Sequence, residues 1–155
     1  MADSYYFPVQ RSVLDIVGKD VLFVDGQCLL CNWFVVWILK HNKKQSIIIT
    51  SYQGRIAKSL LNENINKEFK EVISKVDSVA MLTADGRLLL KSEAILKILF
   101  LMGSFWKNLA IILKCIPVGL RDAFYLVVVK NRFKLYGRTK ECQLKAIRNN
   151  KSVLN

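Results

Sequence analysis

The sequence lacks any run of about 18 uncharged apolar residues, the length that a membrane-spanning helix requires. Its most apolar part, residues 95–129, is interrupted by Lys97, Lys107, Lys114, Arg121 and Asp122. This pattern favours a layer of buried helices, and a helix lying on a membrane surface is the alternative interpretation. The first 20 residues also lack a basic segment followed by an apolar one, so we expect no signal peptide and a cytoplasmic location.

Metal-binding residues are scarce. The chain has four cysteines and a single histidine, His41. Only Cys28 and Cys31 lie close together in sequence, whereas zinc ribbons normally carry a second close pair. In a chain that is not secreted, four cysteines indicate reduced thiols rather than a disulfide scaffold. A structural metal on Cys28 and Cys31 nevertheless stays as an alternative to redox chemistry.

Acidic residues are also few, since 12 of them face 24 lysines and arginines and give a formal net charge of +12. The excess is concentrated after residue 129, where Glu141 is accompanied by Lys130, Arg132, Lys134, Arg138, Lys140, Lys145, Arg148 and Lys151. This stretch predicts a solvated terminal helix with a frayed tail. The alternative is a basic surface for nucleic acid or anionic lipid, with Phe133 and Tyr136 available to stack. No nucleic-acid motif accompanies the charge, which favours the first interpretation.

The sequence does contain enough apolar residues for one core. At 155 residues and 52% hydrophobic, the chain fits a single domain. Buried strands are predicted at 21–24 and 46–50, and the helix between them, at 28–40, makes the two strands parallel. A second helix is predicted at 53–62, followed by a weaker helical pattern at 63–75. Strands at 79–83 and 88–90 flank Asp85-Gly86, a strong hairpin signal.

Three helices are expected after the hairpin. Ser92 is predicted to cap the first of them, with Glu93 in its first turn and Gly103 at its end. Two more follow, separated at Pro117, at residues 104–116 and 120–132. Strand–helix–strand and then strand–strand–helix predicts an α/β, thioredoxin-like three-layer sandwich with extra C-terminal helices. We expect one domain, 1–155, made of a core at about 20–103, a helical extension at about 104–145 and a basic tail to 155.

The motif that carries chemistry lies between the first strand and the first helix, at Asp25-Gly26-Gln27-Cys28-Leu29-Leu30-Cys31-Asn32. Both cysteines fall in the first helical turn, where unpaired N–H groups and the helix dipole favour a thiolate at Cys28. Cys31 lies nearly one turn further, close enough to close a disulfide once Cys28 has attacked a partner. The spacing predicts dithiol–disulfide exchange, with Cys28 attacking and Cys31 resolving. The two sulfurs store the electrons, so no organic cofactor is needed.

Asp25 allows two interpretations. Its carboxylate could accept the proton of Cys31 when that thiol resolves a mixed disulfide. It could equally be a turn or capping side chain that satisfies free N–H groups ahead of Cys28.

Other conspicuous residues are predicted to be structural. Trp33 and Trp37 lie four apart on one helical face and are expected in the core. Cys115 is expected to be a small buried hydrophobe. Arg121 and Asp122 are expected to form an ion pair that fixes the last helix.

The motif resembles the signature of the DCC thiol-disulfide oxidoreductase family, named for Asp-Cys-Cys, which reads Asp-Gly-x-Cys-x-x-Cys-Asn. The resemblance extends over about residues 20–144, through matching segments at 77–79, 91–94, 120–125 and 131–133 and single matches at Pro117, Gly137 and Cys142. It implies a protein-disulfide reductase whose substrate is a disulfide-containing protein or a small thiol. Cys142 could be an accessory thiol of such a protein.

One difference separates this chain from ordinary thioredoxins, which place a cis-proline opposite the cysteine pair to dock an extended substrate. The only prolines here are Pro8 and Pro117, and the corresponding segment is Asp77-Ser78-Val79. The rival function is that of a binding protein. In that case the cysteines hold a metal or are inert, and the basic C-terminal region attaches the protein to nucleic acid or to a membrane.

Overall fold

The computed structural model of the chain describes residues 4–6, 18–42, 46–52, 79–139 and 153. In chain order its elements are β1 (Ser4–Tyr6), β2 (Asp20–Val24), α1 (Leu29–His41), β3 (Ile47–Ser51), β4 (Ala80–Leu82), β5 (Arg87–Leu90), α2 (Lys91–Leu101), α3 (Ser104–Lys114) and α4 (Val118–Tyr136). The helices predicted at 53–62 and 63–75 lie outside the described residues.

The strands form one sheet in the order β1-β5-β4-β2-β3. β2 and β3 are parallel, as predicted, and the other neighbouring pairs are antiparallel. The predicted hairpin is confirmed: β4 and β5 are joined through Asp85 and Gly86, and Gly86 has a φ of 84°, which glycine adopts without strain. The order β5-β4-β2-β3, with α1 after β2 and α2 after β5, is a thioredoxin-like fold. β1 adds an edge strand beside β5.

The described core lies between one face of the sheet and two helices. Apolar residues of β2, β3 and β4 pack there against Val35 and Ile38 of α1 and Ala94 and Ile98 of α2. Val153 belongs to the same core, is 2% exposed and forms a parallel bridge with Ile49. The prediction of a frayed tail is therefore wrong at this residue, because its apolar side chain packs in the core beside β3.

This contact predicts that the tail contributes to stability. Both a chain that ends at Ala146 and a Val153→Ala variant should lose roughly 1.5–3 kcal/mol of unfolding free energy, the usual value of one fully buried valine. Urea unfolding followed by circular dichroism would measure the loss. Equal stability of wild type and Val153→Ala would contradict the packing.

The start of α2 differs from the prediction. The capping position is Leu90, which makes no side-chain capping bond, because α2 follows β5 directly. The Ser92 hydroxyl instead donates to the carboxylate of Asp122 on α4. The predicted Arg121–Asp122 pair is also wrong, since Arg121 Nη2 lies 2.8 Å from Glu93 Oε1. These two contacts tie α4 to α2.

The C-terminal helices do not form a buried layer. Within α3 and α4 the buried residues are Ala110 and Arg132, while many large apolar side chains are exposed, among them Phe105, Ile112, Leu120, Phe124 and Val127. Among the described residues, α4 contacts α1 and α2 along one side. Across the described ranges, the structure contains no helix with both the length and the apolarity needed to cross a membrane.

Two further predictions of burial are also wrong. Trp33 is 65% exposed, and Cys115 is exposed near the end of α3. Trp37 does pack as expected, with its ring 4.8 Å from that of Trp106 and at a right angle to it.

Candidate functional site

The two cysteines lie at the junction between β2 and α1. Cys28 occupies the capping position of α1, and its Sγ accepts a hydrogen bond from the backbone N–H of Cys31 at 3.4 Å. Both thiols are free and buried; Cys28 has no exposed surface and Cys31 is 6% exposed. The structure therefore places the pair at a helix N-terminus, as the sequence predicted.

The surroundings of Cys31 favour its protonated form. The pKa of Cys31 is raised to about 12, mainly by burial, then by the hydrogen bond and charge of Cys28, with a smaller contribution from Asp25. Arg132 acts in the opposite direction and lowers the pKa of Cys31. At neutral pH Cys31 is a thiol, which suits the residue that acts second.

The raised pKa of Cys31 makes the stability of the reduced protein depend on pH. The unfolded chain releases this proton near the ordinary cysteine pKa of 9.0, whereas the folded chain retains it to about 12. The contribution of Cys31 to stability is therefore fully present below pH 9 and is lost as the pH rises towards 12. Between pH 7 and pH 10 the loss of unfolding free energy attributable to Cys31 should be roughly 1 kcal/mol.

Denaturant unfolding of the reduced protein at both pH values measures this loss. Cys31→Ala should remove this part of the dependence, and Cys115→Ala, which deletes an exposed thiol, should keep it. An unchanged dependence in Cys31→Ala would contradict the assignment to Cys31.

Asp25 contacts both the turn and a buried cation. Its Oδ1 accepts the backbone N–H of Gln27 at 3.0 Å, and its Oδ2 lies 3.3 Å from Nη2 of Arg132. The first contact is the turn-capping role considered from the sequence. The second places a guanidinium beside the carboxylate, and both charges act on Cys31.

Sequence reasoning missed Arg132 as a site residue and counted it in the solvated basic stretch. It is 4% exposed, projects from α4 and lies over the ring of Phe133 at 4.4 Å. Its Nε and Nη1 have no hydrogen-bond partner in the described structure. The one sequence signal for it was the family-like segment Asn131-Arg132-Phe133.

Residues 137–139, here called the covering segment, lie against the turn that carries Cys28. Thr139 donates to the carbonyl of Gln27 from its backbone N–H at 2.9 Å and from its hydroxyl at 3.3 Å. Arg138 forms an isolated antiparallel bridge with Cys28. No sequence pattern predicted this contact, which lies beside a cysteine that has no exposed surface.

The approach to β4 is also occupied. The backbone N–H of Val79 donates to the hydroxyl of Tyr125 on α4 at 3.1 Å. In thioredoxins the corresponding segment docks an extended substrate. Here that N–H is already bonded, and Asp77 and Ser78 lie outside the described residues.

A cavity of about 870 Å³ opens beside Cys31. It lies between α1, α2, α3 and α4, and its walls are mostly apolar side chains together with Cys31 and Arg132. Its volume is in the range of small-molecule sites.

Other potential ligands lie apart from the pair. In the described ranges, no three His, Cys, Asp or Glu side chains gather as a metal site would require. His41 is at the far end of α1, where its Nδ1 donates to the carbonyl of Trp37 at 2.8 Å. Cys142 lies outside the described residues.

A family model described as DCC1-like thiol-disulfide oxidoreductase matches residues 22–138. The chain belongs to this family. Uncharacterized protein YuxK of Bacillus subtilis (strain 168) is 33% identical over 128 residues, covering 83% of this chain and 88% of the relative. A DCC family protein of Arabidopsis thaliana, named chloroplastic, is 31% identical over 126 residues, covering 81% and 70%. No solved structure matches the chain.

Membership of the DCC1-like family supports a general redox role for the adjacent Cys28 and Cys31. Neither relative's name states a substrate. Because one relative is named chloroplastic, the cytoplasmic location expected from the sequence stays a prediction.

Proposed function

We propose that the protein is a thiol-disulfide oxidoreductase of the protein-disulfide reductase type, in which Cys28 attacks and Cys31 resolves. The observation that supports this order is the bond from the Cys31 N–H to the Cys28 Sγ at the start of α1. An N–H donor at a helix N-terminus stabilises negative charge on the sulfur that it contacts. The raised pKa of Cys31 keeps the second thiol protonated until it is needed.

The exchange transfers two electrons to the substrate. The Cys28 thiolate attacks one sulfur of a substrate disulfide, forming a mixed disulfide and releasing the other substrate sulfur as a thiolate. Cys31 then loses its proton and attacks the Cys28 sulfur, which releases the second substrate sulfur. The protein ends with a Cys28–Cys31 disulfide, and an external thiol returns it to the reduced form.

Asp25 is proposed to accept the proton of Cys31 in the second step. Asp25 is 8% exposed, and its charge acts on Cys31. Arg132 pairs with the Asp25 carboxylate and also favours the charged form of Cys31. The carboxylate would thus supply the base and the guanidinium would ease the loss of the proton.

Access to Cys28 requires local movement in this proposal. Because Cys28 has no exposed surface, a substrate sulfur reaches it only when its surroundings open. The covering segment is the element proposed to move, because it lies against the turn that carries Cys28. Two hydrogen bonds from Thr139 to Gln27 hold it there and would have to break.

A single-turnover assay tests the function. Reduced protein, freed of small thiols, is mixed with insulin, and the loss of insulin disulfides is compared with the protein's own disulfides by peptide mass mapping. We expect each equivalent of insulin disulfide reduced to yield one Cys28–Cys31 disulfide. Cys115→Ser, which deletes an exposed thiol, should behave as wild type. Insulin left intact, or a reduction that depends on Cys115, would contradict the proposal.

A further inference from the structure

The opening of the cavity beside Cys31 is surrounded by exposed apolar side chains. Trp33, Leu120, Phe124 and Val127 all line the cavity and are 65%, 64%, 74% and 58% exposed. Leu120, Phe124 and Val127 are spaced four and three apart and so lie on one side of α4. These four residues are called the mouth face.

The helices that surround the mouth face present positive charge. Exposed cationic side chains of residues 104–139 are Lys107, Lys114, Lys130, Lys134 and Arg138. Asp122 is the one acidic residue of this segment; its side chain is 19% exposed and is bonded to Ser92. An apolar face among cations is complementary to a surface with negative head groups and apolar tails.

The cavity suits an apolar chain better than a polypeptide. Each polar side chain of its wall makes at least one bond: Ser92 to Asp122, Tyr125 to Val79, Arg121 to Glu93 and Arg132 to Asp25. Nε and Nη1 of the two arginines have no hydrogen-bond partner among the described residues, but these atoms are buried and present almost no surface to the cavity. A peptide would bring backbone N–H and C=O groups, which are costly to bury without partners. A hydrocarbon chain brings no polar group. A second copy of this chain would bring its own cations against these, which disfavours self-association.

We propose that the mouth face docks on an anionic lipid bilayer and that the cavity beneath it receives an acyl chain. Leu120, Phe124 and Val127 then enter the boundary of the bilayer, and Trp33 lies at the interface, where tryptophan is favoured. Lys130 and Lys134 reach the head groups through their flexible stems. The proposal stands independently of the direction of disulfide exchange, although it brings Cys31 close to the bilayer.

Vesicle flotation tests the docking with the whole chain. Wild type should float with phosphatidylcholine vesicles that contain phosphatidylglycerol, remain free with phosphatidylcholine alone and be released by salt. Phe124→Asp should lower the binding by about tenfold or more, because a charge replaces the most exposed anchor. Phe105→Asp is the matched control: Phe105 is 73% exposed but does not line the cavity, and this variant should still bind.

A second measurement tests contact of the mouth face with the acyl chains of the bilayer. Lipids brominated on their acyl chains should quench tryptophan fluorescence, and Trp33→Phe should remove most of the quenching. Circular dichroism confirms the fold of each variant, and Phe124→Ser replaces Phe124→Asp if the latter unfolds.

Three results would overturn the proposal: no binding to anionic vesicles, equal loss of binding in Phe124→Asp and Phe105→Asp, or quenching unchanged in Trp33→Phe. A dimer in sedimentation that Phe124→Asp dissociates, without vesicle binding, would assign the mouth face to a second copy of the chain.

Discussion

Cys28→Ser is expected to abolish disulfide exchange, whereas Cys31→Ser is expected to stop after its first step. A serine hydroxyl at position 28 does not attack a disulfide, so no substrate sulfur becomes linked to the protein. With Cys28 present and Cys31 absent, attack still occurs, but no second thiol releases the mixed disulfide. Turnover of insulin with excess reductant should fall to background for Cys28→Ser.

The two variants should also remain folded. A serine at the capping position of α1 accepts the Cys31 N–H at least as well as sulfur does. Cys31 is buried, so Cys31→Ala serves beside Cys31→Ser as a variant that buries no extra hydroxyl. A metal site predicts a different pattern, since either replacement removes a ligand and both variants should lose metal alike. Full activity in both variants would exclude the proposed exchange.

Asp25→Asn is expected to slow the resolving step by about a hundredfold at pH 7, the usual scale for loss of a positioned base. Asparagine retains an oxygen that can accept the Gln27 N–H, so the turn should persist. Rapid mixing with a disulfide substrate, followed by acid quench and mass analysis, separates formation of the mixed disulfide from its resolution. The attack by Cys28 should change less than the resolution by Cys31.

A faster resolving step in Asp25→Asn would identify a purely structural Asp25. Its negative charge raises the pKa of Cys31, so removing that charge lowers this pKa and frees Arg132 to favour the Cys31 thiolate. If Asp25 does not accept the proton, Asp25→Asn should therefore resolve faster than wild type. A faster second step would leave Asp25 with turn capping alone.

Local signals in the sequence were sufficient for the centre of the fold. The apolar runs of β2 and β3, the Asp85-Gly86 turn and the stop at Gly103 depend on neighbouring residues, and the structure contains each of them. The placement of Cys28 and Cys31 at the start of α1 follows from the same strand-to-helix pattern.

The remaining site contacts could not be predicted because they join residues far apart in the chain. Arg132 reaches Asp25 from α4, and Thr139 bonds to the carbonyl of Gln27. A basic residue in a basic stretch carries no mark of burial, so Arg132 was indistinguishable from exposed Lys130 and Lys134. The predicted burial of the C-terminal helices was wrong for a related reason. Apolar content predicts that a surface will be covered but does not identify what covers it.

Identifying the cysteine that becomes linked to substrate is the most direct test of disulfide exchange by Cys28 and Cys31. Cys31→Ser and Cys28→Ser, each incubated with a protein disulfide and then alkylated, are digested without reduction and the linked peptides are mapped. We expect a mixed disulfide through Cys28 in Cys31→Ser and none through Cys31 in Cys28→Ser. The reverse pattern is a real alternative because a cavity opens beside Cys31. An adduct through Cys31 alone would contradict the assigned order of attack. Absence of adducts in both variants would contradict the exchange itself.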